Sequence, residues 1–176
     1  MRVLLIGFMC SGKSHIGRLV AQRLGLPHVD TDRLVEQEVG PLLPWIGTHG
    51  EAAFRVREAQ VLRNVLQGPD AVVSTGGGTP CEGDNMERMC EAGTVVYLDV
   101  PVDLLIDRCA LKGGDRPLLF GLKGEALAAR VRDLLAQRTP VYRRAHMLVR
   151  ADDSPERIAD RIAAAIAQGP RPGQAM

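Results

Sequence analysis

A loop near the start of the chain carries the pattern most typical of phosphate binding. Residues 7–14 read GFMCSGKS and match G-x-x-x-x-G-K-[ST]. Glycines let backbone N–H groups curl around phosphate oxygens, and the N-terminus of the following helix adds about half a positive charge. Lys13 is placed to reach the β- and γ-phosphates, and the Ser14 hydroxyl to ligate Mg²⁺. The loop therefore predicts nucleotide binding by Cys10, Ser11, Gly12, Lys13, Ser14 and His15.

Two carboxylates, Asp30 and Asp32, lie at the end of a predicted strand over residues 27–30, with one residue between them. In open α/β sheets, ligands gather at the carboxyl edge of the strands. At a strand-to-helix turn the two acids can bind different groups. One holds Mg²⁺, usually through water, and the other meets a substrate hydroxyl. The residues alone are equally compatible with a structural role, in which an acid is the N-cap of the next helix and stabilises it by about 1 kcal/mol.

Arginines and a run of glycines are suited to an anionic substrate. Arg55 and Arg57 lie on a predicted helix, where residues two apart point about 200° apart, so only one can face a cleft. A guanidinium fork suits a carboxylate or a phosphate. Residues 76–78 are three glycines after a predicted buried strand, and without side chains they let a ligand approach the backbone. A solvated helix face and a plain loop remain the alternatives.

Two further arginines lie in the second half of the chain. Arg116 belongs to the glycine-flanked segment 112–121, where it could be an arginine finger on a mobile lid. Arg138 precedes Thr139 and Pro140. Taken alone, each residue is also typical of an exposed surface position.

Short apolar runs alternate with helical patterns along the whole chain. Strands are predicted at 3–6, 27–30, 71–73, 95–98 and 147–149. Helical spacing of apolar residues covers 16–24, 34–39, 51–66, 102–109, 125–137 and 155–166. Such alternation predicts an α/β fold with a parallel sheet. We expect one domain over residues 1–168 and a disordered tail over 169–176.

Composition excludes several classes of protein. The 176 residues include 22 Lys and Arg against 21 Asp and Glu, with 3% aromatics, so neither a basic surface nor stacking platforms for nucleic acid are expected. No apolar run approaches 18 residues, which excludes a membrane-spanning helix. The four cysteines form no C-x-x-C pair, so zinc and redox motifs are disfavoured. A reduced, cytoplasmic monomer without nucleic-acid or membrane partners is expected.

The motifs, taken in this order, resemble the shikimate kinase family from Val3 to Ile166. The matching blocks are GFMCSGKSHIGR, DTDRLVE, GEAAFRVRE, VVSTGGG, RPLL and RTPVYRR. The resemblance implies a P-loop three-layer sandwich like that of nucleoside monophosphate kinases, with strand order 2-3-1-4-5 and a mobile lid over about 111–123. It also implies a substrate-binding segment over about 31–60. The implied reaction is ATP-dependent phosphorylation of the 3-hydroxyl of shikimate, with Mg²⁺, in aromatic amino acid biosynthesis.

The resemblance also implies a role for each matching residue. Lys13 and Ser14 would hold phosphate and metal, with Asp30 on the metal side. Asp32 would bind substrate hydroxyls and accept the proton, and Arg116 would meet the ATP phosphates from the lid. The residues implied to contact the substrate are Asp32, Arg55, Gly76, Gly77, Gly78 and Arg138; those implied in catalysis are Lys13, Asp32 and Arg116.

The chain departs from the family pattern at three places. Cys10 stands where a glycine or another small residue is usual. Trp45 lies one place earlier than the family's aromatic residue, and the segment after Val149 lacks the usual acid. Two other functions stay open: a kinase for another small polyol or hydroxy acid such as gluconate, or a nucleotide-binding regulator without catalysis. The carboxylate-binding arginines favour shikimate, and the intact Lys13 disfavours the regulator.

Overall fold

The computed structural model describes residues 1–112 and 117–169 of the chain. In these ranges a five-stranded parallel sheet has the order β2-β3-β1-β4-β5, with helices on both sides. The strands are β1 Val3–Ile6, β2 His28–Asp30, β3 Val72–Ser74, β4 Thr94–Asp99 and β5 Met147–Arg150. The helices are α1 Lys13–Leu24, α2 Thr31–Val39, α3 Leu42–Gln67, α4 Asn85–Ala92, α5 Val102–Lys112, α6 Gly124–Tyr142 and α7 Pro155–Ala167. The predicted α/β class and strand order are confirmed.

The sheet forms the centre of the main hydrophobic core. All four residues of β1 are fully buried, as expected for a strand covered by helices on both faces. Since all the strands run parallel, their carboxyl ends lie at one edge of the sheet. At that edge the loop 7–12 follows β1, Asp30 ends β2, and the glycines 76–78 come after β3.

A smaller hydrophobic cluster joins α2 to α3. Val35, Phe54 and Val61 are buried there, and the partly buried Trp45 and Ile46 pack against them. The ring of Trp45 also stacks on His49, with centroids 4.4 Å apart. The aromatic residue that departs from the family pattern therefore supports the position of α2 against α3.

Three helical features differ from the sequence-based expectation. Helix α3 begins at Leu42 rather than near Glu51, and Gly50 interrupts it with φ 84° and ψ 163°, a backbone that favours glycine. Helix α4 was not predicted, although Met86 and Met89 recur on its buried face. Helix α6 continues across Pro140 as far as Tyr142.

Two predictions fall on parts of the chain that the structure does not describe. Arg116, assigned to the lid, lies outside the described residues, as do residues 170–176 of the predicted tail. Among the helices of the described ranges, none combines the length and the apolar character that crossing a membrane requires.

Candidate active site

The phosphate loop connects β1 to the first turn of α1. Gly12 precedes the helix in the left-handed region, with φ 94°, which a glycine adopts without strain. Cys10 also has a positive φ, 61°, so the loop forms with a cysteine at this position. In the described part of the chain no side chain caps α1, and its first turn contains no acidic residue. The first N–H groups of the helix are therefore suited to an anion.

Lys13 lies across this loop with only 8% of its surface exposed. Its Nζ donates to the carbonyl oxygens of Gly7 and Phe8, at 2.9 and 2.8 Å. A phosphate oxygen offers the ammonium group a stronger, charge-assisted partner than a neutral carbonyl. The loop thus holds a buried cation close to the uncapped helix end.

Ser14 and Asp30 meet although they come from different elements. The Ser14 hydroxyl donates to Oδ2 of Asp30 at 2.5 Å, while Oδ1 accepts from the backbone N–H of Arg33 at 3.3 Å. Asp30 therefore is the N-cap of α2 and also contacts α1. Both interpretations of this acid, the cap and the metal side, fit its position.

A cavity of about 420 Å³ extends from the loop along α1 and α5. Residues 10–15 line one end, which brings together all six residues of the loop that were predicted to bind nucleotide. Arg108 of α5 lines the cavity too and donates to the carbonyl of Ser11 at 3.4 Å. The far wall comes from Ala151, Asp153, Pro155 and Ile158. Sequence reasoning missed Arg108 and this wall, because neither belongs to a motif.

A second cavity, of about 250 Å³, lies beside the first, and both are lined by Met9, Asp32 and Gly77. Its apolar wall includes Leu42, Ile46, Phe54 and Leu118. All six predicted substrate residues line it, namely Asp32, Arg55, Gly76, Gly77, Gly78 and Arg138. Arg57 is exposed on another face of α3.

The glycines of this cavity leave room for functional side chains. A Cβ atom on residue 76 would lie 2.5 Å from Oε1 of Glu58 and 2.6 Å from Oδ1 of Asp32. A Cβ atom on residue 78 would lie 2.7 Å from Nη1 of Arg55. Any larger residue at these positions must displace the charged groups that line the cavity.

Three carboxylates surround the Arg55 guanidinium. Glu58 accepts from Nη1 at 2.8 Å, Glu51 accepts from Nη2 at 3.0 Å, and Glu82 lies 3.5 Å from Nε. Burial acts to lower the pKa of Arg55, but the charge of Glu58 and the hydrogen bonds to Glu58 and Glu51 outweigh it and raise the pKa. Arg55 is a cation that two acids of its own helix hold in position, while its buried Nε lacks a hydrogen-bond partner among the described residues.

Glu58 is almost completely buried, with 1% of its surface exposed. Besides Arg55 it accepts from the Thr79 hydroxyl at 2.6 Å. Sequence reasoning did not select Glu58 as a site residue. Its spacing of three residues from Arg55 on one helix was the available signal, because residues three apart face each other.

Arg138 of α6 provides the second cation of this cavity. It is 8% exposed, and its guanidinium lies 5.7 Å from the centre of the Phe8 ring. Among the described residues, its buried Nη1 has no hydrogen-bond partner. One turn further along α6, the Tyr142 hydroxyl donates to the carbonyl of Gly77 at 2.6 Å, and burial raises the pKa of Tyr142.

Comparisons with known proteins point to one family. The family model described as shikimate kinase matches residues 9–167. A shikimate kinase of Bacteroides fragilis is 38% identical over 161 residues, covering 89% of this chain and 88% of the relative. A shikimate kinase of Symbiobacterium thermophilum is 42% identical over 147 residues, covering 82% and 83%.

Solved structures agree with the sequence relatives. A shikimate kinase from Acinetobacter baumannii in complex with shikimate has a TM-score of 0.87 and 35% identity, covering 95% of this chain and 93% of that one. A gluconokinase from Sinorhizobium meliloti has a TM-score of 0.64 and 16% identity, covering 96% and 93%. At that identity the second likeness shows the fold alone.

Proposed function

The chain belongs to the shikimate kinase family, and we propose that it transfers the γ-phosphoryl group of ATP to the 3-hydroxyl of shikimate in aromatic amino acid biosynthesis. One observation carries the proposal. The two cavities share Met9, Asp32 and Gly77; one contains the Lys13 loop and the other contains Arg55 and Arg138. A triphosphate in the first cavity and a small carboxylate in the second would meet beside Asp32.

The first cavity suits ATP along its whole length. Lys13 and the N-terminal end of α1, which no side chain caps among the described residues, would hold the β- and γ-phosphates. Arg108 and Pro155, which both line this cavity, would take the base, since a guanidinium plane stacks on aromatic rings. Arg116 remains a sequence-based prediction for the lid that meets the phosphates.

Mg²⁺ fits the oxygen pair formed by Ser14 and Asp30, whose donor atoms lie 2.5 Å apart. Within residues 1–112 and 117–169, no three His, Cys, Asp or Glu side chains cluster as a complete metal site. That suits Mg²⁺ in kinases, which keeps several waters and takes the rest of its ligands from substrate phosphates. When bound, it supplies neutralising charge to the phosphate oxygens.

The second cavity suits shikimate through its charges. Arg55 and Arg138 would bind the carboxylate, and the bare backbone of residues 76–78 would allow the ring to approach closely. Asp32 faces the same space from α2 and would accept the proton of the 3-hydroxyl. The hydroxyl oxygen then bonds to the γ-phosphorus, the bond to the β–γ bridging oxygen breaks, and ADP leaves.

We further propose a single domain over 1–168 with its substrate segment over about 31–60. The lid over about 111–123 belongs to the same proposal. The proposal includes a monomer in a reduced, cytoplasmic setting, and the cysteine use of the chain supports the reduced setting.

A coupled assay of ADP release tests the function. The purified chain is given Mg²⁺ and ATP with shikimate, gluconate or a nucleoside monophosphate, and the phosphorylated carbon is identified by phosphorus–proton coupling in NMR. Of the three acceptors, we expect only shikimate to be phosphorylated, and on its 3-hydroxyl. Turnover with gluconate instead, or ATP binding without any turnover, would overturn the proposal.

A further inference from the structure

The two arginines of the substrate cavity differ in the partners of their terminal nitrogens. Nη1 of Arg138 is buried without a hydrogen-bond partner among the described residues, whereas Nη1 and Nη2 of Arg55 donate to Glu58 and Glu51. A substrate carboxylate can therefore bind Arg138 directly. At Nη2 of Arg55 it meets a carboxylate of the protein.

We infer that Glu51 is that carboxylate: it accepts from Nη2 of Arg55, is displaced by the substrate carboxylate, and thereby sets the affinity for shikimate. The inference rests on the proposed function, because it takes shikimate as the ligand of this cavity. It assigns Glu51 as a specificity-determining residue that competes with the substrate rather than contacting it.

Glu51 is the one of the three acids that combines access to the cavity with freedom to leave. Glu58 has a side chain only 2% exposed and also accepts from the Thr79 hydroxyl, so removing it would strand buried polar groups. Glu82 contacts Nε and does not line the cavity. Glu51 lines the cavity and has a side chain that is 55% exposed.

Displacement of Glu51 requires little free energy. The substrate replaces one carboxylate by another, so Arg55 keeps a charge-assisted hydrogen bond at Nη2. The released Glu51 carboxylate moves into water at the first turn that follows the break at Gly50. Negative charge is favoured at the N-terminal turn of a helix, so Glu51 remains in a favourable position after it leaves Arg55.

The charges that line the cavity favour displacement of Glu51 over a state in which Glu51 and the substrate carboxylate both contact Arg55. Its described lining contains the carboxylates of Asp32, Glu51 and Glu58 against the guanidinium groups of Arg55 and Arg138. A substrate carboxylate added to this set would face an excess of negative charge. Because like charges repel, the exposed and only singly bonded Glu51 is the group that leaves.

The variant Glu51→Gln tests the inference, because it keeps the shape of the side chain and removes its charge. We expect shikimate to bind about two- to fivefold more tightly, the range that an exposed ion pair allows. Binding is measured by calorimetry and by the fluorescence of Trp45, the only tryptophan of the chain. The KM for shikimate should fall in parallel, while kcat and the KM for ATP stay unchanged.

Glu82→Gln is the matched control. It removes the same charge from the same arginine at a similar exposure, 44%, but outside the cavity. We expect it to leave shikimate affinity unchanged, and Glu51→Asp, with its shorter reach to Arg55, to give a smaller gain than Glu51→Gln. Thermal melting of each variant verifies folding.

Two results would overturn the inference: affinity that is unchanged or weaker in Glu51→Gln, or an equal gain in Glu82→Gln. Weaker binding would mean that Glu51 orients Arg55 for the substrate. An equal gain in the control would mean that net charge alone sets affinity. Failure of the proposed function is distinguishable, because it appears in the parent protein as an absence of shikimate turnover before any variant is compared.

Discussion

The nucleotide cavity and the substrate cavity share Asp32 but are constructed in different ways. Most of the phosphate-binding end comes from one continuous stretch, residues 9–16. The substrate cavity takes its lining from the start of the chain, from α2 and α3, from the glycines 76–78, from Leu118 and from α6. One cavity depends on local backbone geometry, and the other depends on the packing of distant elements.

The cations of the two cavities also differ in their partners. The Lys13 ammonium donates to neutral backbone carbonyls, whereas the Arg55 guanidinium contacts three carboxylates. A phosphate that reaches Lys13 meets an ammonium group held by carbonyls of its own loop, but a carboxylate that reaches Nη2 of Arg55 meets Glu51 there. The comparison teaches that the loop positions its cation through its own backbone, whereas acidic side chains from other positions orient the cation of the substrate cavity.

The largest expected effect is on the nucleotide side. Lys13→Met keeps the aliphatic stem but removes the charge, and we expect turnover to fall by about 10³-fold or more, since electrostatic donors of this kind dominate phosphoryl transfer. Steady-state kinetics provides the measurement, and circular dichroism verifies the fold. The exposed Lys123→Met is the control. Near-parental activity of Lys13→Met in a folded protein would remove Lys13 from the chemistry.

Asp32 belongs to both cavities, and its substitution separates their roles. Asp32→Asn keeps a hydrogen bond to the hydroxyl but cannot take its proton, so we expect kcat to fall by about 10²-fold or more. ATP affinity, measured by calorimetry, should hold. Asp30→Asn should instead weaken the binding of Mg²⁺ and ATP. If Asp32→Asn loses ATP affinity while bound ATP still turns over, Asp32 belongs to the metal side.

A change confined to the substrate side is expected from Gly78→Ala. Residue 78 has a right-handed backbone that alanine adopts without strain, but the new Cβ would lie 2.7 Å from Nη1 of Arg55. Because three acids hold that guanidinium, we expect kcat/KM for shikimate to fall about 10-fold, within the loss that a misplaced binding group causes. The KM for ATP should not change.

Gly47→Ala is the control for Gly78→Ala, because its site is helical and its added Cβ would meet no non-neighbouring atom of the described residues within 4 Å. It should have parental kinetics. If Gly78→Ala lowered kcat/KM equally for shikimate and for ATP, the separation of the two cavities would be contradicted.

The smallest expected effect is a pH dependence of stability near the phosphate loop. Half-burial lowers the pKa of His28 below its ordinary value of 6.5, with further lowering by Arg18 and Arg33 and an opposing effect of Asp30. The unfolded chain therefore binds this proton more readily than the folded one. The contribution to stability is present above about pH 6.5 and is lost as the pH falls through the lowered pKa.

Urea unfolding of the parent and of His28→Gln, at several values between pH 5 and 7.5, measures this effect. The variant should show a shallower fall of the free energy of unfolding on the acid side. His28 contacts the Ser74 hydroxyl at 2.9 Å, which donates to the carbonyl of Lys13 at 3.0 Å. Identical pH profiles would show that this network does not titrate with folding.

The sequence by itself determined the α/β class, most strand positions and the phosphate loop. Each of these is local: an apolar run of four residues, a glycine at the turn, or a lysine fixed at one spacing in a continuous segment. Local patterns also set where α1 ends, since Gly25 follows it in the left-handed conformation. The residue types of the substrate site came from the family resemblance, not from any local pattern.

Only the tertiary structure decided which groups meet in the substrate cavity. Arg138 lines it from α6, which extends beyond the predicted end at residue 137. Gly50 matters through the break that it introduces into α3. The contacts of Arg55 with Glu51 and Glu58 follow from helical spacing, but Glu82 and Thr79 come from another part of the chain. Whether a charged group is bonded, buried or displaceable depends on neighbours distant in sequence, and those neighbours are set by the packing of helices on the sheet.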